Sequence, residues 1–85
     1  MMVPTIHLNG TSRESLLEGY EKAHRAVRAA LKEVAEIGPN GRDFYPQGPD
    51  ALSKASDEHR ARMNALSNIL RDLEALGEAI DNEKS

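Results

Sequence analysis

Apolar residues return at alternating steps of four and three along two long stretches of this 85-residue chain, and that spacing limits its fold more than any other feature. The first series is Leu16, Tyr20, Ala23, Val27, Ala30, Val34 and Ile37. The second is Leu52, Ser56, His59, Met63, Leu66, Leu70, Leu73, Gly77 and Ile80. A seven-residue repeat sustained in this way is the seam of a helix lying lengthwise on another helix. Between the two series lies GPNGRDFYPQGPD, residues 38–50, with three of the four prolines and three of the six glycines. Proline and glycine at this density stop helices and make turns. The predicted architecture is therefore all-α and a single domain. It has an extended lead over 1–10, a helix over 12–37, a connector over 38–50 and a helix over 51–80, folded back as an antiparallel helical hairpin.

The ends of each element carry their own signals. Pro4 biases Val3 away from helix, and Thr5 to Leu8 alternate polar and apolar before the turn dipeptide Asn9-Gly10. Ile6 and Leu8 are expected to cover the end of the hairpin or pair with another subunit, with His7 pointing away as a surface histidine. Thr11-Ser12-Arg13-Glu14 fits a capping box opened by Thr11, with Ser12 as the alternative cap. Gly38-Pro39 ends the first helix, glycine being able to take a left-handed cap and proline unable to continue the ladder. Pro49 or Asp50 opens the second. The pattern fades at Asp81, and 82–85 are expected to fray. Laid back to back, the seams pair Val34 with Ser56, Ala30 with His59, Val27 with Met63, Ala23 with Leu66 and Tyr20 with Leu70.

That pairing leaves apolar residues over. Leu17 and Leu31 flank the first seam, and Ile69 and Leu76 the second. Two helices show each other only one face apiece, so this row marks an interface. A chain this short buries only about 60–65 % of its unfolded surface and needs a staple. There is no cysteine for a disulfide, and three histidines are a poor supply for zinc. A homo-oligomer, at least a dimer and most simply a four-helix bundle, is the expected solution. The net charge of −3 argues against coating DNA. No apolar run approaches the roughly 20 residues of a membrane span, and the start lacks a signal-peptide pattern. A cytoplasmic protein is expected.

The connector is the first candidate site. Asn40-Gly41 makes a turn, Arg42 and Asp43 follow, then Phe44-Tyr45 and Pro46-Gln47-Gly48-Pro49. A plain helix–helix link is shorter and polar. Rigid loops that present specific side chains often bind ligands. Arg42 can fork onto phosphate or carboxylate oxygens, and Phe44 or Tyr45 can stack on a flat ring. The other reading makes the two aromatics a plug for the end of the bundle, with Arg42 and Asp43 paired on the surface. A basic stretch is the second candidate. Lys22, Arg25, Arg28 and Lys32 lie on the first helix, and the pairing above brings His59, Arg60 and Arg62 level with them. With His24 these groups could surround an anion. Against that stand Glu18–Lys22, Glu21–Arg25 and Glu58–Arg62, spaced as ordinary i,i+4 pairs on solvated faces. His59, on the seam, reads as a packed histidine bonded to Ser56 or as a ligand contact.

Catalysis and metal binding find little in the sequence. There is no cysteine nucleophile, no Ser/His/Asp arrangement in a recognisable context and no glycine-rich phosphate loop after a strand. Glu21-x-x-His24 matches one half of a carboxylate di-metal site, but the second helix has Ser56 where the matching glutamate would stand. Neither enzyme, metal nor cofactor is expected.

The segments IHLNGTS, residues 6–12, and PNGRDFYPQG, residues 39–48, resemble a group of small phage and prophage proteins with the same lead, two helices and an NGRD-aromatic-YPQG-like connector. That resemblance covers most of the chain and brings no functional residues with it. In overall plan the chain also resembles small helical phage proteins that oligomerise and sequester cyclic-nucleotide or ADP-ribose-derived immune signals. This second likeness implies a counter-defence protein in the cytoplasm of an infected or lysogenic bacterium. The residues themselves, repeated around the axis of an oligomer, supply the expected site: a phosphorylated small molecule bound between subunits through Asn40, Arg42, Phe44, Tyr45 and Gln47 of the connector with Arg28, His59 and Arg62 of the helices. The rival expectation is a structural or protein-inhibitor module that grips a partner protein with its exposed apolar face.

Overall fold

Two long helices carry the two seams. Residues 1–83 are described by the computed structural model. Its elements are α1 (Arg13–Glu36), the short α2 (Gly41–Phe44), a 3₁₀ turn over Tyr45–Gln47 and α3 (Ala51–Asp81). Among the described residues all regular structure is helical. Helix α1 is capped by Ser12, not Thr11: the Ser12 hydroxyl accepts from the Ser15 N–H at 3.1 Å. That places Ser15 where the capping box would need its glutamate, so the reciprocal bond is absent. The C-terminal end also differs from expectation. Ile37 N–H donates to Val34 O and Gly38 N–H to Ala35 O, closing the helix with tight i→i+3 bonds. The left-handed glycine is Gly48 instead, at φ 115°. It lies where the chain leaves the 3₁₀ turn for α3, a backbone state that side chains disfavour.

The lead runs extended without forming a strand. Ile6 N–H donates to Glu83 Oε1 at 3.1 Å, and the Arg13 guanidinium donates to the Glu83 carbonyl. The last turn of α3 has no basic residue of its own, so Arg13 of α1 supplies the cation that the negative end of the helix dipole favours. Ile6 is half-buried, but Leu8 is 98 % exposed and covers nothing. The bend at His7 to Gly10 turns Leu8 outward, with Gly10 N–H bonded to His7 O. Of the segment expected to fray, Asn82 caps α3. Lys84 and Ser85 lie outside the described residues.

Contacts between α1 and α3 run in opposite order along the two helices. Arg13 meets Glu83, His24 meets Glu74 at 2.8 Å, and Gly38 lies beside the His59 ring. Tyr20 shares a hollow with Leu73 and Gly77. The register differs from the one expected: His59 faces Gly38 rather than Ala30, and Tyr20 faces Gly77 rather than Leu70. The slide is about two helical turns, roughly 11 Å. Its cause lies in the connector. Residues 51–58 project beyond the end of α1, and α2 folds against them, with Gly41 resting on Leu52. The seam on α1 drifts too. Leu31 is half-buried where Ala30 was expected, and Ile37 is 72 % exposed. Steps of four recur at Ala23, Val27 and Leu31, following a straight helix of 3.6 residues per turn rather than a strict heptad.

The packing is thin. Ile80, at 0 % exposure, is the one fully buried side chain among the described residues. The chain measures 61 × 20 × 18 Å with a radius of gyration of 18.6 Å, against about 12 Å for a compact domain of this length. Its accessible surface is 6564 Å² for 9.3 kDa, against about 5,000 Å² for a compact monomer of that mass. Ile80→Ala is expected to cost about 2–4 kcal/mol by thermal melting followed by circular dichroism. A cost near zero would mean that the α1–α3 contact around Glu83 does not form.

Candidate functional site

Asn40 organises the connector. Its Oδ1 accepts from the Arg42 N–H at 2.9 Å and caps α2. One turn of helix then sends neighbouring side chains to different sides. Phe44 turns inward and is half-buried; Tyr45, next in sequence, is 77 % exposed. Pro46 stiffens the 3₁₀ turn that follows. On one side of Phe44 is a hollow of about 400 Å³, walled by Ile37, Pro39 and Asn40 and by Ala55, His59 and Arg62 of α3. On its other side Phe44 shares a second hollow, of about 430 Å³, with Gln47, Pro49 and Lys54.

The eight residues expected to form a ligand site separate into groups. Asn40, Phe44, His59 and Arg62 line the first hollow, and Gln47 reaches only the second. Arg42 and Tyr45 line neither and stand exposed on the outer side of the connector. Arg28 lies farther along the rod, in hollows with His24 and Lys32. The two-turn slide is what parts Arg28 from His59 and Arg62, because it carries the start of α3 past the end of α1.

Charge in the connector hollow is mixed. Arg62 and His59 share it with Asp43 and Glu58. Among the described residues Arg62 makes no ion pair with Glu58, nor Arg42 with Asp43, although both were expected as alternatives to ligand binding. Glu18–Lys22 and Glu21–Arg25 do pair, at 3.0 and 3.1 Å, and occupy the basic residues near the start of α1. Arg28 and Lys32 have no carboxylate within 4.0 Å among the described residues. His59 is half-buried with its ring against Gly38, a packed position.

The contact that sequence reading missed is His24 with Glu74. His24 stood out in the basic stretch and in a metal-like motif, and its partner on α3 depends on the register. The two side chains span the groove between α1 and α3. Leu17, Tyr20 and Leu73 line it on one side of them; Leu31, Met63 and Leu70 line it on the other. Among the described residues no three His, Cys, Asp or Glu side chains gather as a metal site, and no helix is long and apolar enough to cross a membrane. No family model, curated protein or solved structure matches the chain.

Phe44 inside and Tyr45 outside have different consequences for stability. Phe44→Ala is expected to cost at least about 1.5 kcal/mol. Tyr45→Ala should stay within about 0.5 kcal/mol. Urea titrations of the two variants compare them directly. Equal losses would contradict the inward and outward assignment.

Proposed function

We propose that this chain is a non-enzymatic helical module that acts by association, its helical hairpins packing through their apolar faces into a bundle of at least two copies. The observation that carries this reading is the near absence of a core, with one side chain fully buried among the described residues. The chain exposes roughly 1,500 Å² more than a compact monomer of its mass would. A standard interface removes about 800 Å² from each partner, so one such contact brings the chain nearer the usual balance. Met63, Leu66, Leu70 and Leu73 stay half-buried between α1 and α3, and a second layer of helices would complete their burial.

A second reading is favoured by Arg28 and Lys32, which lack carboxylate partners among the described residues. In it the assembled protein holds a phosphorylated nucleotide-type signal between subunits, as a phage counter-defence protein would. Assembly would have to bring Arg42 and Tyr45 of one copy toward the hollow of another, since one chain does not gather them.

Sedimentation equilibrium at micromolar concentration should give a dimer or larger species, and a stable monomer would remove the first reading. For the second, calorimetric titration with cyclic di- and trinucleotides and ADP-ribose derivatives should give heat with at least one. That binding should weaken about tenfold or more in Arg28→Ala. A panel without heat leaves the second reading unsupported.

A further inference from the structure

The groove between α1 and α3 has opposite charge at its two ends. Leu31, Met63 and Leu70 lie toward the end rimmed by Arg28 and Lys32. Leu17, Tyr20 and Leu73 lie toward the end rimmed by Glu78 and Asp81. Among the described residues none of these four charged side chains makes an ion pair within the chain. His24 and Glu74, 2.8 Å apart, mark the middle. From that middle Arg28 and Glu78 are each four residues away in opposite directions, about 6 Å along the rod. Lys32 and Asp81 follow at about 12 and 10 Å.

Resting on the association reading above, we propose that this groove is the face that meets a second copy of the same chain, antiparallel, about a twofold axis passing beside His24 and Glu74. Two copies can face each other across a groove in two symmetric ways. With the axis along the rods, basic end lies on basic end and acidic on acidic, which like charges oppose. With the axis across the rods, α1 lies over the partner's α1 and each basic end over the partner's acidic end, and the similar distances from the middle bring the opposite charges level along the rods and diagonal across the groove. Such an interface is isologous, each contact occurring twice. The hollows at the two ends, about 460 and 540 Å³, are apolar in the middle and charged at the rim. That is the anatomy of a protein–protein contact.

Charge reversal tests the arrangement. One variant carries Arg28→Glu and Lys32→Glu, making both ends acidic; the other carries Glu78→Lys and Asp81→Lys, making both ends basic. Each alone should dimerise at least about tenfold more weakly than the parent chain, from lost pairs and new repulsion. Mixed one to one, they should form a heterodimer. A variant that loses helix alone should regain it on mixing, so circular dichroism reports even where one variant does not fold by itself. A parent chain that dimerises while both variants dimerise equally well, or do not prefer each other, overturns this face and leaves the association reading standing. A monomeric parent chain overturns both. To fix the direction, Lys32→Cys in this cysteine-free chain should be joined to Asp81→Cys by a flexible bis-maleimide linker and not to itself. Self-linking at position 32 would contradict the antiparallel axis.

Discussion

A helix presents only one face to a single neighbour, and most of this molecule follows from that limit. Helix α1 carries half-buried apolar positions at Leu16, Leu17, Tyr20, Val27, Leu31 and Val34, a stripe wider than α3 alone can cover. Helix α3 returns the same problem through Leu66, Leu70, Leu73 and Leu76. The result is a thin rod whose side chains are almost all partly wet. Hydrophobic stabilisation scales with the apolar area removed from water. A rod of this kind therefore gains much less than a compact domain, while ordering its backbone costs about as much per residue.

The end contacts matter more in a rod than in a globule. Glu83 holds both the lead, through Ile6, and the start of α1, through Arg13. At the other end, α2 and Phe44 cover the first turns of α3, which would otherwise project bare beyond α1. The connector is therefore a folded cover as well as a link. Its proline and glycine content serves that shape: Asn40 caps one turn, Pro46 stiffens the next, and Gly48 supplies the one left-handed step before α3.

Both long helices could be read in the sequence because a helical period repeats every few residues and needs no knowledge of the partner. Their register could not. A pattern with a seven-residue repeat looks almost the same after a slide of about two turns, so Tyr20 could face Leu70 or Gly77 with similar apolar match. What selects the observed pairing is how residues 38–50 fold on α3 and how Glu83 ties the far end, and neither is periodic. The candidate site suffered accordingly. A plug of aromatic rings at the connector was legible; that Phe44 alone would turn inward and Tyr45 outward was not. The gathering of Arg28 with His59 and Arg62 rested on the wrong register and does not occur. His24 with Glu74 was invisible for the same reason. The local caps fell within a residue of expectation at Ser12, and missed at Gly38, where tight helical bonds leave the special freedom of glycine unused.

If the apolar face is completed only by a second copy, folding and association are one equilibrium, and helix stability must depend on chain concentration. The direct measurement is the thermal midpoint of helix loss over about a hundredfold range of concentration, roughly 1 to 100 µM. The midpoint should climb by several degrees across that range. A midpoint that stays fixed, with the chain helical at the lowest concentration, would show that the rod stands alone and that its exposed leucines need no partner.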